Sequence, residues 1–368
     1  MDKTKLICLL KSFRIYILYH IKTKVSKAVR VPPFLVILNP TNRCNLKCKY
    51  CQANGAEKAS DINPRAIFKL IDDCEKMGVP MLSFSGGEPL LYKDLIPIAK
   101  YAHKRKILLN LNTNATLINE KNFQQIATYF DYVRVSLDGV QRTHDRLCRV
   151  PGSYAKVSKA INLLSSLRNK NAKICLNFTY DEENAKEFRK VYEKFSNKVD
   201  LVQLLPQFNF INKEFRYSIK GTSLPKGFKK IVRSTSMHKR RTLKEIHRNC
   251  DAGVLYYSIA SNGAIRSCPF SPVDFNNPGV LGDLNRESFY DVIYHKKYKG
   301  KVNDVKKILE SRGYDEKTAK KLIKDRLIVN DGKIVNICSG CSTTCTTEVS
   351  NLFRKNPFRE IIKAMRLF

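Results

Sequence analysis

The sequence has no uninterrupted apolar stretch long enough to cross a membrane. The most apolar segment near the start, 6–21, is interrupted by Lys11, Arg14 and His20, and no small-residue cleavage site of a secretory signal follows it. Internal repeats and low-complexity segments are also missing from the sequence. We therefore expect neither a membrane-spanning protein nor a secreted one.

Acidic residues are scarce. The 368 residues include 33 Asp and Glu against 67 Lys and Arg, which gives a net charge of +34. Such an excess predicts attraction to a polyanion, which could be nucleic acid, an anionic lipid surface or an acidic substrate. A generally basic, solvated surface explains the charge equally well, so the charge alone selects no substrate.

The twelve cysteines do not form the framework of a short secreted scaffold, because the chain is long enough to bury a core of its own. Eight of them fall into groups with the spacing of metal ligands. Thiols that hold metal have to stay reduced, so we expect a cytoplasmic location.

The first group of cysteines follows a predicted buried strand, 34–38, and consists of Cys44, Cys48 and Cys51. Three thiolates can ligate three irons of a [4Fe–4S] cube and leave the fourth iron open for a small molecule. Zinc is the alternative for three thiols taken alone, although zinc sites usually show paired C-x2-C spacing.

This cysteine loop resembles that of the radical S-adenosylmethionine (SAM) superfamily, in which an aromatic residue, here Tyr50, precedes the last cysteine. One helix later the chain reads Gly86-Gly87-Glu88-Pro89, directly after a predicted strand. Glycines at such a place allow a backbone to approach a ligand closely. The resemblance implies that this second motif binds the amino group of SAM.

Further residues resemble the SPASM group of the same superfamily. The polar residues Asn112 and Asn114 end a predicted strand, where α/β barrels place ligand groups, although a polar turn explains them equally well. In Ser136-Leu-Asp-Gly139, the resemblance implies that Ser136 contacts the SAM carboxylate. Many relatives have an arginine at the position of Cys148, which makes the adjacent Arg149 only a candidate for that contact.

Strands and helices alternate about six times between residues 34 and 206, which predicts an α/β fold built as a partial (β/α)6 barrel with a small C-terminal cysteine-rich domain. The predicted domains are an N-terminal amphipathic helix at 1–33, a radical SAM core at 34–210, a basic connection at 211–249, an auxiliary-cluster domain at 250–350 and a C-terminal helix at 351–368.

The second group of cysteines comprises Cys250, Cys268, Cys338, Cys341 and Cys345. It resembles the SPASM/twitch extension, which ligates auxiliary iron–sulfur clusters. A full SPASM domain has seven cysteines in this region, and this chain has five. One auxiliary [4Fe–4S] cluster on Cys250, Cys268 and two of the last three fits best, and a zinc ribbon is the alternative.

The N-terminal segment has apolar residues at helical spacing, namely Leu6, Leu10, Phe13, Ile17 and Ile21. Basic residues lie between or just after them. The helix either packs on the main domain or lies on an anionic membrane surface, which would place the protein at the periphery of the membrane. The pattern alone does not separate these two interpretations.

Taken with the resemblance, the motifs predict an enzyme that cleaves SAM reductively at a [4Fe–4S] cluster. The 5′-deoxyadenosyl radical would abstract hydrogen from a peptide, a cofactor precursor or a lipid. A reduced donor such as ferredoxin or flavodoxin is the expected electron source. A zinc-containing nucleic-acid-binding protein is the alternative, but it leaves Glu88 and its motif unexplained.

Overall fold

The structure of the chain is a computed structural model. It describes residues 3–24, 30–51, 59–167, 172–209, 214–215, 231–233, 255–267, 280–295, 329–330 and 333–334.

Ten of the described strands form one sheet, in the order β12-β11-β10-β1-β2-β3-β4-β5-β6-β9. The six strands from β1 to β6 run parallel to one another and are neighbours in chain order. Their bounds are β1 Leu35–Leu38, β2 Met81–Phe84, β3 Leu108–Thr113, β4 Tyr132–Ser136, β5 Lys173–Tyr180 and β6 Leu201–Pro206. The described strands form an open sheet and do not close into a barrel. This agrees with the predicted partial barrel.

The remaining strands are short. They are β7 Phe208–Asn209, β8 Glu214–Phe215, β9 Ile231–Arg233, β10 Tyr256–Ile259, β11 Ala264–Arg266, β12 Val280–Asp283, β13 Val329–Asn330 and β14 Lys333–Ile334. β10 and β11 are the hairpin predicted from the sequence, and they pair antiparallel. β10 also pairs parallel with β1, so the hairpin extends the core sheet. The predicted domain boundary at residue 250 remains a prediction.

The described part of the chain contains eight α-helices, of which all but the first and the last connect the parallel strands. They are α1 Lys3–Lys24, α2 Pro64–Met77, α3 Leu95–Lys104, α4 Phe123–Tyr129, α5 Gln141–Cys148, α6 Ser153–Ser166, α7 Phe188–Phe195 and α8 Phe289–Tyr294. The start of α2 shows how the sequence sets these bounds. Asn63 caps the helix by accepting from the Arg65 amide at 2.9 Å, and Pro64 needs no amide partner in the first turn. Gly78 ends the helix with a φ of 78°.

The two faces of the parallel sheet differ in chemistry. On the outer face, residues such as Leu82, Leu109 and Val133 are fully buried in one apolar core with α2, α3, α4, α6 and α7. On the inner face, polar side chains follow one another across the strands: Arg134 donates to Asn110 at 3.0 Å and to Gln203 at 2.7 Å. Because strand residues alternate between faces, this polar row lines the concave side of the sheet.

α1 covers the N-terminal end of this inner face. Its buried residues Cys8, Ile15 and Tyr19 share a cluster with the first residues of four parallel strands, which are Leu35, Met81, Leu108 and Tyr132. The Cys8 thiol also lies 3.3 Å from the Lys106 carbonyl oxygen. The helix therefore packs on the main domain. None of the described helices is long and apolar enough to span a membrane.

Candidate cluster and cofactor site

The loop that carries Glu88 lies directly against the segment that leads into the cysteine loop. The Gly87 amide donates to the Thr41 carbonyl at 3.0 Å, and the Glu88 amide donates to the Arg43 carbonyl at 2.8 Å. A side-chain carbon on Gly86 would lie 2.6 Å from the Thr41 oxygen, and one on Gly87 would collide with the Arg43 carbonyl. The two glycines are therefore required for this close approach.

Glu88 is almost completely buried, with 1% of its surface exposed. Its Oε1 accepts from the Thr113 hydroxyl at 2.7 Å and the Leu90 amide at 3.1 Å, whereas its Oε2 accepts from the Asn114 amide at 2.7 Å. Burial raises the pKa of this carboxyl to about 7, against the lowering effect of these bonds. Since a carboxylate oxygen has two acceptor positions, Oε2 retains one for a further donor.

Asn114 joins this carboxyl to the cysteine loop. Its backbone binds Glu88, and its side-chain amide donates to Asn45 Oδ1 at 2.9 Å and lies 3.7 Å from the Cys44 sulfur. Three of the predicted site residues, Cys44, Glu88 and Asn114, are thus brought together at the C-terminal end of the parallel strands. Sequence analysis missed Thr113, although its place at the end of β3 was a signal.

The three cysteines of the loop are open to different degrees. Cys44 is exposed, and Cys48 and Cys51 are half-buried. Burial raises the pKa of the Cys44 thiol. Among the described residues, no three thiol, imidazole or carboxylate groups converge where a single metal ion could bind. A [4Fe–4S] cube does not need such convergence, because each thiolate ligates a different iron.

Tyr50 fixes the end of the cysteine loop. Its hydroxyl donates to Asp138 Oδ2, and the second oxygen of Asp138 accepts from the Thr179 amide at 2.6 Å. Burial raises the pKa of the Asp138 carboxyl, and burial likewise raises that of the Tyr50 hydroxyl. Asp138 was not predicted as a site residue, although it lies in the Ser136-Leu-Asp-Gly139 motif at the end of β4.

Cys148 also contacts the loop, although the sequence showed it only as a departure from the family. Lys47 donates its amide to the Cys148 carbonyl at 3.1 Å, so the last turn of α5 pairs with the loop. The Cys148 sulfur lies 3.5 Å from His144 Nε2. The pKa of the Cys48 thiol is raised, chiefly by its hydrogen bond with the Cys148 thiol.

The remaining predicted cofactor residues lie in different surroundings. Asn112 donates to the Ser83 hydroxyl at 3.0 Å and to the Phe84 carbonyl at 3.1 Å. Ser136 is the half-buried last residue of β4. Arg149 is exposed and lines a surface depression beside α5, and none of the other predicted cofactor residues lines this depression.

The second group of cysteines falls outside the described residues. Cys250, Cys268, Cys338, Cys341 and Cys345 all belong to it. The auxiliary cluster therefore remains a prediction from spacing and resemblance.

The ends of the open parallel sheet bring a three-cysteine loop next to a glycine-rich loop with a buried carboxyl. This arrangement is typical of radical SAM proteins. A family model described as "Radical SAM superfamily" matches residues 38–195. This stretch starts at the last residue of β1 and contains the cysteine loop, the Glu88 loop and β2 to β5. Residues 38–195 are therefore a radical SAM domain, as the sequence predicted.

Two curated relatives from Methanosarcina barkeri show how far the similarity extends. An Fe-coproporphyrin III synthase is 33% identical over 162 residues, which cover 43% of this chain and 40% of that protein. An AdoMet-dependent heme synthase is 21% identical over 361 residues, which cover 89% of this chain and 96% of the relative. The stronger identity is thus limited to about two fifths of the first relative's length.

A solved structure shows the same fold. SuiB from Streptococcus suis bound to S-adenosylmethionine matches with a TM-score of 0.56 at 18% identity, covering 74% of this chain and 68% of SuiB. At this identity the match concerns the fold alone. These findings favour the radical SAM prediction over the zinc-containing nucleic-acid-binding alternative.

Proposed function

We propose that this protein is a radical SAM enzyme whose SAM-cleaving cluster is held by Cys44, Cys48 and Cys51. When bound, a reduced [4Fe–4S] cluster supplies the electron that cleaves SAM to methionine and a 5′-deoxyadenosyl radical, which takes a hydrogen atom from the substrate. The observation that carries the proposal is the pairing of the Glu88 loop with the residues directly before the cysteine loop.

The residues of the site have different roles in the proposed binding of SAM. Glu88 has one acceptor position left on Oε2, which suits a ligand ammonium group. Asn114 holds this carboxyl and the Cys44 end of the loop at a fixed separation. Gly86, Gly87 and Pro89 shape the loop around them, and Asn112, Ser136 and Arg149 are the proposed further contacts.

SAM cleavage tests this function. Anaerobically reconstituted protein, reduced with dithionite and given SAM, should release 5′-deoxyadenosine. A variant with Cys44, Cys48 and Cys51 all replaced by alanine should release none above background. Equal release from the two proteins would reject the proposal.

We propose an auxiliary [4Fe–4S] cluster on the second group of cysteines. The support is their number and spacing, because soft thiolates hold iron–sulfur clusters readily. The triple alanine variant of the first cluster should therefore retain about four irons and matching sulfide, the content of one cube. One zinc per chain without sulfide would contradict this proposal.

The proposed substrate is a peptide, a cofactor precursor or a lipid. The polar row on the inner face of the sheet favours the first two, because Asn110, Arg134 and Gln203 offer hydrogen bonds that a hydrocarbon chain cannot use. SuiB has been solved bound to its precursor peptide SuiA. A reduced ferredoxin or flavodoxin is the proposed electron donor in a reducing cytoplasm, with an anionic membrane surface as a further partner.

A further inference from the structure

One side of α1 is buried and the opposite side is exposed. Thr4, Cys8, Ser12, Ile15 and Tyr19 are buried and recur every three to four residues. Half a helical turn away lies a row of large apolar side chains, which we call the outer stripe: Leu6 at 44% exposure, Leu10 at 61%, Phe13 at 38%, Ile17 at 42% and Ile21 at 36%. The apolar face read from the sequence is therefore not the face that packs on the sheet.

The charges of α1 are all of one sign. The helix contains Lys3, Lys5, Lys11, Arg14, Lys22 and Lys24 and no acidic residue. Lys3 and Lys24 continue the helical spacing of the outer stripe at its two ends. An exposed apolar stripe with basic ends suits an anionic lipid interface, where apolar burial and electrostatic attraction add. A second copy of the chain is a poorer occupant, because it would bring the same cations against these.

The position of α1 also sets an orientation. The helix packs on the first residues of β1 to β4, whereas the cysteine loop and the Glu88 loop follow the last residues of β1 and β2. Strands of four to eight residues separate the two ends by about 13 to 26 Å. An interfacial helix enters the bilayer by only about 5–10 Å, so the site would remain outside it.

We propose that the outer stripe docks on an anionic lipid bilayer and that the docked protein holds its cluster site on the side facing water. This inference specifies how the membrane partner named under the proposed function would be bound, and it does not depend on SAM cleavage. It adds a restriction on the substrate: a molecule embedded in the same bilayer would have to leave it to reach the cysteine loop. The orientation therefore favours a water-soluble peptide or cofactor precursor.

Co-sedimentation with vesicles tests the docking. Full-length reconstituted protein should pellet with vesicles of phosphatidylcholine containing phosphatidylserine and much less with phosphatidylcholine alone. The double variant Leu10→Gln, Ile17→Gln should lower the partition coefficient about tenfold, because glutamine keeps the helix propensity and removes apolar burial. Circular dichroism and the unfolding midpoint should show that this variant remains folded.

A matched pair of charge variants separates docking from general attraction. Lys3→Gln with Lys24→Gln removes the two charges at the ends of the outer stripe, whereas Lys156→Gln with Lys190→Gln removes two from helices α6 and α7. The first pair should weaken binding about fivefold per residue, since each basic residue near the surface contributes roughly 1 kcal/mol. The second pair should change it little.

The orientation has its own test, because the chain contains no tryptophan. Phe13→Trp places a single reporter on the outer stripe, and Glu182→Trp places one just after β5, at the end that carries the site. Brominated lipids should quench the fluorescence of the first variant and not that of the second.

Four outcomes would overturn the proposal. They are unchanged binding by the Leu10→Gln, Ile17→Gln variant, equal loss with both charge pairs, quenching of the Glu182→Trp variant, and a concentration-dependent dimer that the stripe variant abolishes. The last result would assign the stripe to a second copy of the chain. Because these readouts need no SAM cleavage, they can fail or succeed independently of the proposed function.

Discussion

Replacing the buried carboxyl of Glu88 by an amide should change both the affinity for SAM and its dependence on pH. Burial raises the pKa of Glu88 to about 7, so the carboxyl is largely neutral at pH 6 and largely ionised at pH 8. Only the ionised form can pair with the SAM ammonium. The dissociation constant of the wild type should therefore fall about tenfold from pH 6 to pH 8 and then level off.

The Glu88→Gln variant should bind SAM more weakly at pH 8. A charge-assisted hydrogen bond is worth about 1.5–3 kcal/mol, which corresponds to a loss of about 10- to 150-fold. The variant should show no comparable change between pH 6 and pH 8. Any titration of SAM itself affects both proteins, so the difference between their pH profiles isolates Glu88.

Equilibrium dialysis with labelled SAM on the cluster-loaded protein measures both quantities. Glu120→Gln is the matched control, because Glu120 is an exposed carboxyl whose pKa is lowered by its bond to Lys159. This control should keep the wild-type profile. Parallel pH profiles for the wild type and the Glu88→Gln variant would refute the reasoning, as would equal affinities at pH 8.

Three further changes have measurable consequences. Cys148→Ala removes the thiol beside Cys48 and should lower the cluster's reduction potential by about 40 mV. This shift is the equivalent of one hydrogen bond of about 1 kcal/mol to a ligand sulfur. A redox titration monitored by EPR that shows no shift would contradict this expectation. Tyr50→Phe takes a donor from the buried Asp138 and should cost about 1–3 kcal/mol of unfolding free energy in a denaturant titration, whereas an unchanged value would show that Asp138 has other support. Gly87→Ala forces a side chain against the backbone before the cysteine loop and should lower stability by about 1–3 kcal/mol in the same titration, which a wild-type midpoint would exclude.

Sequence reasoning located the elements of the core well because their signals are local. The strand at 81–84 was predicted with the bounds that the structure gives, since Pro80 precedes these four apolar or small residues and a glycine turn at Gly86 follows them closely. The 256–267 hairpin was also found from its turn. Its pairing with β1 was not, because a contact between residues about 220 positions apart leaves no mark on either segment.

The candidate site was predicted in part for the same reason. The cysteine spacing and the Glu88 motif can be read from the chain, but the partners that hold them cannot. Asp138 reaches Tyr50 across 88 positions, and Cys148 contacts the loop through the last turn of a helix that was not predicted. For α1, periodicity identified the apolar face, but only the packing shows which face turns towards the sheet.

The position of α1 also restricts how molecules can reach the inner face of the sheet. Within the described part of the chain, the helix covers the starts of β1 to β4, at one end of the inner face whose polar row includes Arg134 and Gln203. Access from that end is blocked along these four strands. Substrate, SAM and the products would then exchange from the end that carries the cysteine loop or through the gap that the open sheet leaves.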